Sequence, residues 1–288
     1  MPLLGLYLHI PYCKAKCGYC DFLSRPLSAQ RELDSYTRAL KHDIALAALP
    51  AAGRQLTSIY FGGGTPSLLG PGRISAVLKT VKRSFDVGKD AEITLEANPA
   101  TVTAGQWRRL RAAGISRISL GVQTFDDRLL RLLGRIHTGK QAAEAVEQAR
   151  QAGFENISTD LIYGIPGQTE KDWKKDLARI IGLRVSHVSF YDLTIEPGTD
   201  FGRRRRSLKL VDERKLIRMY TDGCRKLAAA GYRQYEISSF ARKGRQSRHN
   251  QIYWHNESSI GCGAGAFSIG RERVFINAGT LTAILCRR

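Results

Sequence analysis

Residues 7–22 read YLHIPYCKAKCGYCDF. The stretch begins as a strand, the apolar run Leu3–Ile10, and passes into a loop with three cysteines, Cys13, Cys17 and Cys20, spaced C-x3-C-x2-C. A [4Fe-4S] cluster normally takes four cysteine ligands, so three thiolates would leave one iron open to a substrate or cofactor. Zinc, with His9 as a fourth ligand, is the alternative on the same residues. Structural zinc prefers four closed ligands at other spacings, and His9 precedes the loop on the strand.

Outward from this loop the chain alternates. Strand candidates are Leu3–Ile10, Leu56–Phe61, Glu92–Ala97, Ser116–Leu120, Ile157–Ile162 and His187–Tyr191. Between and after them lie helical patterns at Arg31–Leu49, Gly72–Phe85, Ala104–Ala113, Gln141–Ala152, Glu170–Leu183 and Val211–Ala230. Thr103 with Gln106 and Thr169 with Asp172 have the spacing of capping boxes. YRQYEISSF (232–240) reads as one further strand. Alternating strand and helix predicts a parallel sheet. Short, near-continuous apolar strands fit burial on both faces. Six βα units form either an open doubly wound sheet or a barrel of fewer than eight units, and both place ligands at the C-terminal strand ends.

Composition narrows the class. The 288 residues are 43% hydrophobic, enough for a large core, and carry 45 Lys and Arg against 26 Asp and Glu, a formal net charge of +19. That balance favours anionic partners without choosing among nucleic acid, membrane, phosphate and carboxylate. LLGLYLHI is far shorter than the roughly 20 residues of a spanning helix, and it lacks the flanks of a signal peptide. The expectation is a cytoplasmic, reducing setting, where cysteines serve as ligands or free thiols. Cys224, Cys262 and Cys286 carry no spacing signal.

The other strand ends are also unusual. YFGGGTPS places Gly62, Gly63, Gly64 and Thr65 after the second strand, where glycines permit close approach of backbone to a ligand. LEANP puts Glu96 at the end of the third, a carboxylate suited to an amine or a ribose hydroxyl. LGVQTF puts Gln123 after the fourth. Asp160 lies inside the apolar fifth strand, where an ionised carboxylate requires a partner.

Together these stretches resemble the radical S-adenosylmethionine (SAM) proteins, and more narrowly the family of oxygen-independent coproporphyrinogen III oxidase and its heme-chaperone relatives. YLHIPYCKAKCGYCDF, YFGGGTPS, LEANP, SLGVQTF, LLGRIHT and DLIYGIPGQT follow that family in order and spacing over about residues 3–277. The resemblance implies an incomplete TIM-like barrel of six βα units. It implies a [4Fe-4S] cluster on Cys13, Cys17 and Cys20, with SAM chelating the fourth iron through its amino and carboxylate groups. Tyr7 and Phe22 would flank the cluster, Gly63, Gly64 and Thr65 would meet the methionine end, and Glu96, Gln123, Arg135 and Asp160 match SAM-contacting positions. A reduced cluster would cleave SAM to methionine and a 5'-deoxyadenosyl radical.

Two details separate the branches. Oxidases of the family carry a further cysteine two positions after the third, where this chain has Asp21–Phe22, and they have more N-terminal sequence. SRHNQIYWHN carries His249, Asn250, Tyr253 and Trp254 in the H-N-x-x-Y-W pattern of the heme-chaperone branch. Imidazole can ligate heme iron and aromatic rings pack on a macrocycle, while the bland alternative is a histidine and two aromatics closing the open side of the barrel. The basic run Arg203–Arg206 is a solvated turn or a partner for propionates or an acidic protein. The implied function is a heme chaperone delivering heme to an acceptor protein at a membrane surface, and the alternative is the oxidase. RNA modification ranks last for want of an RNA-binding module. Residues 1–232 read as the radical SAM core and 233–288 as a partial C-terminal region. Phe267 stands where relatives usually have His, and NAGTLTAILCRR reads as a truncation or shifted frame after about Asn277.

Overall fold

The computed structural model describes residues 4–51, 53–270 and 274–277; the expected break after Asn277 lies outside the described residues. In chain order the elements are β1 (Leu4–Ile10), α1 (Gln30–Ala47), β2 (Gln55–Gly63), α2 (Gly70–Ser84), β3 (Asp86–Ala97), α3 (Ala104–Ala112), β4 (Arg117–Gln123), α4 (Asp127–Leu133), α5 (Gly139–Gln151), β5 (Asn156–Tyr163), α6 (Glu170–Gly182), β6 (His187–Asp192), α7 (Asp200–Arg203), α8 (Glu213–Ala229), β7 (Arg233–Gln234), β8 (Ser239–Ala241), α9 (Arg248–Trp254), β9 (Ser258–Cys262), β10 (Phe267–Ile269) and β11 (Val274–Ile276). One sheet carries these eleven strands in the order β11-β10-β9-β1-β2-β3-β4-β5-β6-β8-β7, and Tyr12–Cys13 pairs in parallel with Arg25–Pro26 in a separate two-stranded sheet.

All six expected strands are present and run parallel, from β1 to β6. The structure adds a seventh, β9, which pairs in parallel with β1 on its far side. Thus the segment after residue 232, read as a separate region, supplies strands to the same sheet. The single strand expected at 232–240 is instead two short antiparallel strands, β7 and β8, parted by the turn at 235–238. β6 and β9, the outermost parallel strands, do not pair with each other among the described residues, so the barrel is incomplete.

Outward-facing side chains make the main core. Leu6, Leu8, Ile59, Phe61, Leu95, Ile118 and Leu120 are fully buried beneath the helices, each contributing roughly 1.5–3 kcal/mol of burial. Helix starts follow the sequence closely. Thr103 Oγ1 accepts from Gln106 N at 3.4 Å while Thr103 N donates to Gln106 Oε1 at 2.8 Å. Thr169 and Asp172 repeat the arrangement at 3.2 and 3.0 Å. Register then sets the interior. Glu96 on β3 faces Ser119 on β4, and Asp160 on β5 lies between Gly121 and Ser189 on the neighbouring strands. A slip of one residue would throw these polar groups outward into the helix layer.

Candidate functional site

At the C-terminal strand ends a cleft of about 650 Å³ runs from the cysteine loop down into the barrel. A hollow of similar volume, about 670 Å³, lies outside between α5 and α6, but it is lined by surface residues such as Lys140, Glu144 and Arg179. The cleft at the strand ends is the one that gathers the buried charges.

Cys13, Cys17 and Cys20 all line this cleft, and none is in a disulfide. Their loop is pinned from two sides. Gly18 N donates to Leu133 O at 3.1 Å, and Phe201 N donates to Gly18 O at 2.8 Å. Across from it stands the end of β2. A Cβ on Gly64 would lie 2.7 Å from Tyr12 O and 3.0 Å from Cys13 Sγ, so only glycine lets the two backbones meet there. Gly64 N donates to Ile10 O at 2.8 Å, and Thr65 N donates to Tyr12 O at 2.7 Å, locking the glycine turn onto the cysteine loop. His9, the alternative fourth ligand for zinc, is engaged elsewhere: Nε2 donates to Leu23 O at 2.8 Å, which leaves Nδ1 to accept from Tyr7 Oη at 3.2 Å. Among the described residues no three His, Cys, Asp or Glu side chains converge tightly enough for a single metal ion. Three free thiols on one cleft wall fit a multi-iron cluster, whose ligands are cysteine thiolates.

The SAM-matching residues come together in the same cleft: Gly63, Gly64, Thr65, Glu96, Gln123, Arg135 and Asp160 all line it, as does Phe22, which is 68% exposed. Arg135 reaches the cysteine loop, with Nη1 3.5 Å from Cys17 Sγ and Nη2 donating to Gly121 O at 2.5 Å. Gln123 sits at a bulge in the β4–β5 ladder with φ of 69°, a left-handed conformation uncommon for a non-glycine residue. Tyr191 Oη donates to its Oε1 at 3.3 Å. Burial, reinforced by the charge of Asp160 and opposed by a hydrogen bond from Tyr60 at 2.7 Å, pushes the Glu96 carboxyl up to about 7. Burial also pushes Asp160 up to about 6, against the pull of Arg117 and a hydrogen bond from Ser119.

Two expected residues stand elsewhere. Tyr7 does not line the cleft; its ring stacks on Tyr60, its register partner on β2, with centroids 6.1 Å apart. His249, the expected heme-iron ligand, lies behind Tyr253 on α9. It is 1% exposed, Nδ1 shares a hydrogen bond with Ser58 Oγ at 2.8 Å, and Nε2 shares one with Tyr253 Oη at 2.8 Å. Its ring stacks on Tyr60 at 5.0 Å, and burial, with the nearby charge of Arg117, holds its pKa down to about 3. Both nitrogens are hydrogen-bonded to hydroxyls within the protein, and burial keeps the ring neutral, the form in which an imidazole ligates iron. His249 also packs α9 against β1 and β2, close to Gly5 and Tyr60. Its neighbours Asn250, Tyr253 and Trp254 do line the cleft.

Sequence reasoning missed Asn98, Arg117 and Tyr60. Asn98 bonds both Arg135 and Thr65, the latter at 2.9 Å, and so joins two expected SAM positions. LEANP contained it, but no spacing rule assigns it a partner. The basic run lies on α7 and the turn after it; Arg203 and Arg204 reach Asp200 at 4.0 and 3.0 Å beside the cysteine loop. Arg248 is committed at the opposite end of the barrel, donating to Asp90 O at 2.7 Å.

A family model described as the Radical SAM superfamily matches residues 7–180. The heme chaperone HemW of Escherichia coli (strain K12) is 42% identical over 266 residues, covering 92% of this chain and 70% of that one. HemW of Bacillus subtilis (strain 168) is 38% identical over 95% of this chain and 73% of that one. The chain belongs to the radical SAM superfamily, in its heme-chaperone branch. The solved structure of E. coli coproporphyrinogen III oxidase (HemN), a radical SAM enzyme, superposes with a TM-score of 0.86 at 26% identity, over 98% of this chain and 68% of that one. A radical SAM protein implies a [4Fe-4S] cluster and SAM, and the thiol wall, glycine cradle and buried carboxylates described above fit both. Among the described residues no helix is long and apolar enough to cross a membrane.

Proposed function

We propose that this chain is a heme chaperone, binding heme and passing it to an acceptor protein, with a SAM-bound [4Fe-4S] cluster at the upper end of its cleft. Cys13, Cys17 and Cys20 would hold three irons, leaving the fourth for the amino and carboxylate groups of SAM. Once bound and reduced, the cluster supplies an electron that can cleave SAM. The remaining work falls to the chain. The Gly63–Gly64 backbone and Thr65 make room for the methionine end. Glu96 accepts from the amine, Gln123 and Asp160 address the ribose hydroxyls, and Arg135 stabilises the thiolate end. The observation that carries this reading is the convergence of the three thiols, the glycine cradle and four buried or half-buried polar side chains on one cleft. Heme is read from the likeness to the chaperones together with the exposed aromatics at the rim, Phe22 and Trp254. Asp21–Phe22, where oxidases of the family carry another cysteine, argues against porphyrinogen oxidation.

The test is anaerobic cluster reconstitution followed, on one sample, by heme titration in the Soret region and an assay for protoporphyrinogen with SAM and reductant. The expected result is about four irons per chain, a saturable heme spectrum and no protoporphyrinogen. Porphyrinogen turnover would replace this reading with the oxidase.

A further inference from the structure

The floor of the cleft contains a cation that pulls on Asp160 and Glu96 but touches neither. Arg117 opens β4, is 2% exposed, and lines the cleft. Among the described residues its guanidinium makes no hydrogen bond and has no carboxylate within 4.0 Å, and its Nε is sealed from solvent without an acceptor. Its neighbours are committed to one another. Glu96 takes the Tyr60 hydroxyl at 2.7 Å, and Asp160 takes Ser119 at 3.4 Å. His187 is bonded to Ser158 at 2.7 Å and to Tyr235 at 2.8 Å, and His249 to Ser58 and Tyr253. A guanidinium withdrawn from water is costly without an anion, and its planar fork is the side chain best suited to a carboxylate.

We propose that Arg117 receives a carboxylate of the cargo, a heme propionate, and so deepens the chaperone reading on which this inference rests. Two carboxylates could reach the cleft, the propionate and the methionyl carboxylate of SAM. The second belongs at the cysteine loop, where Arg135 already stands beside Cys17. Arg117 lies six residues down β4 from Gln123, about 20 Å of strand at 3.3 Å per residue, and two residues below Ser119, the register partner of Glu96. The outer lining completes the match. Phe22 and Trp254 of the lining are 68% and 55% exposed, and Ile237, between the lining residues Glu236 and Ser238, is 68% exposed. An apolar rim outside and a cation without a direct acceptor inside fit a flat apolar macrocycle that carries a carboxylate on a short arm.

The experiment compares heme with its dimethyl ester, in which the propionate charge is gone, on the reconstituted full chain. Soret titrations are run on wild type, Arg117→Gln and Arg117→Lys, with SAM affinity measured in parallel. Wild type is expected to prefer heme over the ester by about tenfold or more, the worth of a hydrogen bond to a charged group. The preference should fall to about one in Arg117→Gln and be partly kept in Arg117→Lys. Equal affinity of wild type for heme and ester overturns the proposal, and it does so even where the Gln variant fails to fold. Loss of SAM affinity in Arg117→Gln with an unchanged heme-to-ester ratio assigns the guanidinium to SAM and equally overturns it. Binding of neither porphyrin by wild type overturns the chaperone reading itself.

Discussion

The two ends of the cleft are built differently. The cysteine end is assembled from strand-end loops, each carrying its chemistry within a few residues: Cys13 to Cys20, Gly62 to Thr65, Glu96 to Asn98. The α9 end is assembled across the whole chain. His249 meets Ser58, 191 residues away, and Arg117 faces groups from β2, β3, β5, β6 and α9. At the first end side-chain identity and local spacing carry the reading. At the second, long-range packing decides: it buries a histidine that looked like a metal ligand against Ser58, Tyr60 and Tyr253, and it leaves a plain strand arginine on the cleft floor without a hydrogen bond among the described residues.

The comparison breaks most readily at His249. Replacement by alanine removes a buried ring and strands Ser58 and Tyr253, so thermal or urea unfolding should show a loss of roughly 2–5 kcal/mol, with the Soret maximum of bound heme unmoved. A shifted maximum with intact stability would return His249 to the iron. Next comes Glu96. Glu96→Gln should weaken SAM binding by roughly 1.5–3 kcal/mol by calorimetry on the cluster-loaded protein. The pH profile sharpens this. The free carboxyl titrates near 7, and a hydrogen bond from the iron-bound amine would pull it lower in the complex. Binding at pH below 7 therefore releases a proton, and affinity should fall with pH by up to about tenfold per unit. The dependence should flatten above 7, and Glu96→Gln should abolish most of it. A profile that is flat from pH 6 to 8 in wild type would mean that Glu96 does not face the amine. The smallest effect belongs to neither end. Thr169→Ala removes an N-cap and should cost about 1 kcal/mol of stability, leaving iron content and SAM affinity as in wild type.

Much of the fold was legible because its elements are locally specified. The six βα units follow apolar strands and capped helices, and every expected strand lies within a few residues of its place. β9 escaped because Ser258–Cys262 is short and small-sided; only its partner β1 makes it a strand. The hairpin of β7 and β8 escaped because YRQYEISSF has no glycine or proline to mark the turn. In the site, the cysteines, glycines and carboxylates were legible as chemistry, whereas Asn98 and Arg117 were not. Their roles are contacts with other strands, and no spacing rule reports which way an inward-facing residue finds or lacks its partner.

The central claim is that three thiols on one cleft wall leave an iron vacancy beside the glycine cradle. It is tested most directly by Mössbauer spectroscopy of protein reconstituted anaerobically with ⁵⁷Fe, before and after SAM. The account predicts a [4Fe-4S] signal in which one iron of the four becomes distinct when SAM is added, and which is absent from the Cys13→Ala, Cys17→Ala, Cys20→Ala triple variant. A spectrum that SAM leaves unchanged, or a cluster retained by the triple variant, would contradict it.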